Sequence, residues 1–374
     1  MGQGSHDLAL SASARFSIER LVSIRAAAQL LHRPRRLSPA RVAERVCGLQ
    51  AQDLGAARLG FRARSQGLTA QAVDRARNEG AIVRTWAMRG TLHLLSAEDV
   101  SLLHAVVIPP VLPAAERSLA RLGVADVAPK AMRVIERALE RDGPLTRAEL
   151  ADRLRRHGID AGGQIAFHLV RRASLDGVAC MGPDRGSDTT FALMRDWIPT
   201  ASPVDPDDAL REVVRRYLIG YGPAEPADFA AWAGLRLSTS RRAFGTLRGD
   251  LVESRVGDGA LWSLRRRRRG VELDPAVIRL LPMYDAYLLG YRNRDVAVPR
   301  AHAARVHPGG GIIRPTVVRA GTVVGTWKPD RRGRTLAIRV QPFGRLSSPA
   351  MGAVEEEVAD IGRFLGVEAA MIAP

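Results

Sequence analysis

Apolar residues along the first third of the chain recur with two different periods. Leu21, Ile24, Ala28 and Leu31 stand at helical spacing and predict a helix over 18–31, broken by His32-Arg33-Pro34-Arg35-Arg36. Ser38-Pro39 supplies an N-cap and a first-turn proline for a second helix, whose buried stripe is Val42, Val46 and Leu49. That helix is expected to run into Gly48-Leu49-Gln50-Ala51-Gln52-Asp53. A third helix is predicted over 68–77, with Thr69 as its cap. The period then drops to two. Ile82-Val83-Arg84-Thr85-Trp86, a turn at Arg89-Gly90, and Thr91-Leu92-His93-Leu94-Leu95 read as a hairpin, or wing. Ser96-Ala97-Glu98-Asp99 begins the next helix. Three helices and a hairpin make one winged-helix unit.

The same order returns twice. Met132 to Leu139 is amphipathic, Thr146 and Glu149 form a capping-box pattern, Gln164 to Ala173 is a third helix, and Gly177–Cys180 with Phe191–Leu193 makes a wing tipped by Gly182–Gly186. After an acidic linker at Ser202 to Asp208 come helices over 210–218, 226–232 (ended by Gly234) and 238–247. A hairpin over Gly257-Asp258 follows them. From Arg265 the pattern changes to β-rich pieces at 277–281, 316–319, 322–327 and 335–340, and a closing amphipathic helix over 354–365. The expected fold class is α+β: about three tandem winged-helix modules, then a small antiparallel sheet or barrel with a final helix. The boundaries read as a loose tail at 1–13, modules at 14–125, 126–200 and 207–268, and a β-rich domain at 271–374.

Length and charge then narrow the class. A chain of 374 residues exceeds one ordinary core. Hydrophobic content of 46% and charged content of 25% are those of a folded soluble protein. Lys and Arg number 56 against 39 Asp and Glu, a net charge of +17, which favours a polyanionic partner, nucleic acid above all. GC-rich coding bias accounts for arginine over lysine but not for the excess of cations. Cys47 and Cys180 have no ligand spacing around them, so neither a metal site nor a disulfide framework is expected, and no cofactor is called for. No apolar run is long enough for a membrane span. Met1-Gly2 is followed by His6 where a myristoylation motif wants Ser or Thr. An intracellular place in a bacterium, on the nucleoid, fits, and several modules on one chain make a monomer sufficient.

Gly48-Leu49-Gln50-Ala51-Gln52 together with Arg84-Thr85-Trp86-Ala87-Met88-Arg89-Gly90-Thr91-Leu92-His93-Leu94 resembles the AlkZ/YcaQ family of winged-helix DNA glycosylases. Met283-Tyr284-Asp285-Ala286-Tyr287-Leu288-Leu289-Gly290-Tyr291, and Arg314-Pro315-Thr316-Val317-Val318 to Val324-Gly325-Thr326-Trp327, extend the resemblance over about 18–370. It implies excision of N7-alkylated purines from double-stranded DNA, bulky and, in some members, cross-linked adducts included. The family's catalytic pattern, Gln, an apolar residue, then Gln or Asp, maps onto Gln50 and Gln52. Gln at the second position places the chain nearer the AlkZ branch, which is linked to self-protection against genotoxic natural products.

The chemistry follows from the substrate class. An N7-alkylguanine is already cationic and leaves without a strong acid. A placed water and a dipole facing an oxocarbenium-like sugar are what remain to be supplied, and glutamine oxygens supply both. Helical geometry raises an objection: residues two apart point about 200° apart, so both glutamines serve one site only if the helix ends there, as Gly48 and Gly55 allow. The competing reading has both amides merely satisfying backbone groups. Asp53 is a rival base, or an ion-pair partner of Arg58 or Arg62. His93 is a secondary candidate for the site and for DNA contact, with Arg89 and Thr91 beside it as phosphate ligands. Trp86 reads as core. Arg265, Arg266 and Arg267, within the run Arg265–Arg269, are phosphate ligands or a solvated linker, and Gly309-Gly310-Gly311 reads as a hairpin tip. The only lysines, Lys130 and Lys328, lie far from the two central segments, which argues against a Schiff-base step and for a monofunctional enzyme. The alternative is a non-catalytic winged-helix DNA binder, a transcription regulator or damage binder, reading bases through Gln164, Arg171 and Arg172.

Overall fold

The structure, a computed structural model, describes residues 14–33, 36–198, 205–267, 271–332 and 335–372. The tail at 1–13, Pro34-Arg35 and Arg268-Arg269 lie outside them. The first third holds β1 (Ala14–Arg15), α1 (Ile18–Ala28), α2 (Pro39–Arg45), β2 (Leu49–Gln50), α3 (Leu54–Arg62), α4 (Ala70–Asn78), β3 (Ile82–Trp86), β4 (Leu92–Ser96), α5 (Val100–Val107) and α6 (Leu112–Arg121). Ser17, Ser38 and Thr69 each cap a helix through a side-chain oxygen. One expectation is corrected here. The second helix stops at Arg45, and Leu49–Gln50 is a strand. A helix the sequence reading passed over, α3, starts directly after it.

The second third holds α7 (Ala128–Asp142), β5 (Leu145–Thr146), α8 (Arg147–Arg156), α9 (Ile165–Leu175), β6 (Ala179–Met181) and β7 (Thr190–Leu193). The capping box at Thr146 and Glu149 is formed in both directions, at 3.2 and 2.7 Å. The two hairpins share one sheet. They join edge to edge where Arg84 pairs with Met181, giving one six-stranded sheet ordered β2-β4-β3-β6-β7-β5. Trp86 is 4% exposed, buried in the core below this sheet and edge-on to Phe167 of α9.

Next come α10 (Pro206–Tyr221), α11 (Pro226–Ala233), α12 (Leu237–Thr246), β8 (Leu251–Val256) and β9 (Gly259–Leu264). Asp205 to Asp208, expected in a linker, are the cap and first turn of α10. Strand β1 pairs parallel with β8, so the start of the chain is the third strand of this sheet. The last part holds β10 (Ile278–Leu281), α13 (Ala286–Leu289), α14 (Ala303–Val306), β11 (Thr316–Arg319), β12 (Thr322–Arg332), β13 (Thr335–Pro342), α15 (Ser348–Leu365) and β14 (Glu368–Ile372). Strands β10 to β13 are antiparallel in order, as expected. The final helix, however, is followed by β14, which returns to pair parallel with β13 and makes the sheet mixed. Gly309-Gly310-Gly311 is a loop between α14 and β11 rather than a hairpin tip.

Buried charge and tyrosine hydroxyls tie these parts together. Arg64 and Asp285, both wholly buried, form a two-armed pair at 2.8 Å, and Arg64 also donates to Gln29 Oε1 at 2.9 Å. Arg25 on α1 pairs with Asp228 at 3.1 Å and lies over the Tyr291 ring. Arg62 and Arg33 meet Glu357 and Asp360 of α15. Tyr217, Tyr221 and Tyr291 donate to the carbonyls of Gly290, Val46 and Tyr221. The Tyr284–Tyr291 segment is thus a cross-brace holding α10, α1 and the turn before β2 in register. Among the described residues no single helix is long and apolar enough to cross a membrane.

Candidate active site

A chain reversal sets the two glutamines in place. Cys47 (φ 53°) and Gly48 (φ 90°) are both left-handed. A Cβ on Gly48 would lie 2.3 Å from Leu95 Cδ2 and 3.2 Å from the Leu94 carbonyl, so the position requires glycine. The turned chain then follows β4, with Leu49 opposite Leu94 and Gln50 opposite His93. Ala51 continues the run, its N–H donating to the Leu92 carbonyl at 2.7 Å. In extended backbone, residues two apart share a face. Leu49 and Ala51 are buried, Gln50 is half-buried on the strand, and Gln52, at the bend just past it, is exposed. The angular separation that a helix would impose does not arise.

Arg84, which the sequence reading took only as a strand residue, pins this segment. It is buried, and its Nε and Nη2 donate to the Ala51 carbonyl at 3.0 and 2.7 Å. Nη2 also reaches the Gln52 carbonyl at 3.5 Å. Nothing in the pattern of β3 announces a buried arginine, because strand periodicity reports burial and not charge.

Asp53 is the N-cap of α3: its Oδ1 accepts from the Ala56 N–H at 2.7 Å. The ion pairs suggested for it are not made. Arg58 pairs with Asp74, and Arg62 with Glu357 and Asp360.

His93 is the cross-strand neighbour of Gln50, in a row that continues to Thr85 on β3. It is 3% exposed, so the structure places it beneath the surface rather than against DNA. Its Nδ1 is 3.0 Å from the Thr91 carbonyl, which can only accept, so Nδ1 carries the hydrogen. Burial first, and the Arg89 charge second, push its pKa down to about 3. The ring is neutral at any working pH. Thr91 Oγ1 donates to the Met88 carbonyl at 3.0 Å and holds the β3–β4 turn.

Arg89 sits in that turn at φ 58°. Its Nη1 donates to the Trp232 carbonyl at the end of α11, and its Nη2 to Gln50 Oε1 at 3.3 Å. Gly234, the left-handed cap of α11, backs directly onto it: a Cβ there would lie 3.4 Å from Arg89 Cα. The guanidinium is therefore occupied inside the protein.

Two other arginines stand close. A Cβ on Gly90 would lie 3.1 Å from Arg171 Nη2. Arg171 has no carboxylate partner among the described residues, and burial alone draws its pKa down. Arg294, bonded to the Leu288 carbonyl at 3.0 Å, has its charge felt at Arg89. Arg172, by contrast, is paired with Asp176 and Glu116, and Gln164 stands at the N-cap position of α9.

Arg265 is exposed and donates to the Gly249 and Leu251 carbonyls at 3.3 Å. Arg266 lines a cavity of about 780 Å³ between α1, α2 and α10, which neither glutamine borders. The side chain of Arg267 lies outside the described residues.

One half-buried and one exposed amide, with Arg84 and Arg89 bonded beside them and Arg171 near the β3–β4 turn, thus stand together on an α+β scaffold. The chain belongs to the AlkZ-like DNA glycosylase family, whose model matches residues 43–364. It is a DNA glycosylase, a hydrolase of the N-glycosidic bond. An interstrand DNA cross-link repair glycosylase of Streptomyces sahachiroi is 30% identical over 352 residues, covering 87% of this chain and 90% of the relative. The solved structure of Streptomyces sahachiroi DNA glycosylase AlkZ is 27% identical. It superposes with a TM-score of 0.79 and covers 96% of this chain and 100% of the other.

Proposed function

We propose that this chain excises N7-alkylated purines from double-stranded DNA, bulky and cross-linked adducts included, as a monofunctional glycosylase. The observation that carries this is the chain reversal at Cys47-Gly48, which brings Gln50 out half-buried on a strand and leaves Gln52 open to solvent just beyond it. The nearest carboxylate in sequence, Asp53, is engaged in capping. A cationic purine needs no strong general acid. A water held by a glutamine oxygen, with the amide dipole turned toward the sugar, completes the displacement. A neutral amide is a poor base, so undamaged guanine is left alone. An exposed amide face, rather than an enclosed pocket, suits adducts too large to be swallowed. Lys130 donates to the His157 carbonyl and Lys328 lies on β12, so no lysine stands ready for a Schiff base.

The helix-plus-hairpin units at 14–125, 126–200 and 207–268 are read as tandem winged helices, with 271–374 as the β-rich domain. Arg171 and Arg294, and at a greater remove Arg265–Arg267, meet phosphates. The enzyme works as a monomer on the bacterial nucleoid, in self-protection against a genotoxic natural product. The relative named for cross-link repair supports the substrate class.

The test is release of base from a duplex carrying one N7-methylguanine. Wild type is expected to release free base and leave an abasic site, with no borohydride-trapped adduct. Gln50→Ala and Gln52→Ala are expected to lose about 10²-fold or more in rate. Wild-type rates in both variants would remove the glutamines from catalysis. Binding without release from any N7 adduct would mark a damage binder.

A further inference from the structure

The two glutamines differ in one respect that their closeness in sequence conceals. Gln52 has an amide that is free to turn, whereas the Gln50 amide is spoken for. An arginine side chain has hydrogen-bond donors and no acceptor. The atom of Gln50 that faces Arg89 is accordingly Oε1, at 3.3 Å. The amide nitrogen then points away from Arg89. Arg89 cannot follow a rotation of the amide, because its other arm holds the Trp232 carbonyl. That carbonyl belongs to the last turn of α11, where backbone oxygens lack intrahelical partners and carry the negative end of the helix dipole. The backbone of Arg89 is fixed as well, by a left-handed turn packed against Gly234.

We propose that Arg89 is a positioning residue that locks the amide orientation of Gln50, so that Gln50 serves the reaction as a donor and Gln52 serves it as the acceptor. This rests on the catalytic reading of the glutamine pair. The guanidinium withdraws electron density from Oε1, which makes that oxygen a poor acceptor for a water proton and the amide hydrogens better donors. The Gln50 NH2 group then grips an oxygen on the backbone of the lesion-bearing strand. Gln52 Oε1 takes the hydrogen of the attacking water. The site is complete only when the end of α11 has docked on the turn between β3 and β4, so an element about 140 residues later decides how Gln50 points.

Single-turnover base release from N7-methylguanine duplex at saturating enzyme separates the roles. Gln50→Glu keeps an oxygen for Arg89 and deletes the donors. It is expected to fall about as far as Gln50→Ala, tenfold or more. Arg89→Met frees the amide to flip and is expected to lower the rate about tenfold with duplex affinity and melting temperature little changed. Arg89→Lys, which retains one donor, is expected to recover part of that loss and carries the comparison if Arg89→Met fails to fold. In the double variant Gln50→Ala/Arg89→Met the two losses are expected not to multiply. A wild-type rate in Gln50→Glu would show Gln50 acting as an acceptor and overturn the proposal. So would a wild-type rate in Arg89→Met beside a slow Gln50→Ala. Gln52→Ala distinguishes the two levels: if it is slow while these outcomes occur, only the role of Arg89 falls. If Gln50→Ala and Gln52→Ala are both fast, the catalytic reading falls and the positioning role with it.

Discussion

His93 shows how far a residue's identity and its behaviour can part. A histidine beside a candidate site invites a proton-transfer role. Here the imidazole is buried on the strand beside Gln50, with its pKa lowered to about 3. In the unfolded chain it titrates near its ordinary value of about 6.5. Between those two values the unfolded state binds a proton that the folded state refuses, so stability falls as pH drops through the window. Denaturant unfolding from about pH 4 to 7 is expected to show that slope, up to about 1.4 kcal/mol per pH unit from this group. His93→Gln is expected to flatten it, while His104, lowered to about 4 by burial, keeps its own share. An unaltered slope in His93→Gln would contradict the buried neutral ring. Gln50 and Gln52 were legible in the sequence as a pair. Their setting was not, because the two-residue strand that ends at Gln50 exists only through pairing with residues 93 and 94, more than forty positions on. Asp53 was legible as polar and misjudged in role, since the small residues Gly55-Ala56-Ala57 concealed the start of α3.

Among elements, the helices and hairpins were readable from periodicity and capping chemistry. What periodicity withheld was which edges meet. The join of β3 to β6 rests on a single residue pair, Arg84 with Met181, and no local signal encodes it. The return of β14 was hidden for the same reason: its partner lies on the far side of α15. The Tyr284–Tyr291 segment was recognisable by likeness, and the structure supplies its task. Asp285 caps α13 and also neutralises Arg64 in the interior. Removing one member of a buried pair strands the other, a penalty of about 3–5 kcal/mol. Asp285→Ala is therefore expected to lower the unfolding midpoint in denaturant sharply, with loss of base release following loss of fold. A variant as stable as wild type would show that Arg64 finds solvent or another carboxylate.

At the scale of the molecule, the net charge of +17 is a statement about the surface. Interior pairing removes cations and carboxylates together and leaves the excess outside, where a duplex meets it. Arg171 stands beside Gly90, and the charge of Arg294 reaches Arg89, the residue that holds Gln50. Alanine at either position is expected to weaken duplex binding evenly across sequences. It is also expected to reduce the slope of log affinity against log salt by about one. Anisotropy titrations over a salt series decide this, and an unchanged slope in both variants would move the phosphate contacts elsewhere.

The long reach of the buried pairs has a consequence for how the protein is made. Arg62 and Arg64 stand early in the chain, and their carboxylates follow 295 and 221 positions later. While the ribosome is still in the first half of the message, these side chains cannot leave water, since an uncompensated charge resists burial. The glutamine segment, which leads into the helix that carries Arg62, waits with them. Strand β1, the opening of the described chain, must wait likewise for β8. A nascent polypeptide therefore carries Gln50 and Gln52 without the contacts that arrange their surroundings. Their setting stays unassembled until the carboxylates of Asp285 and Glu357 have been made.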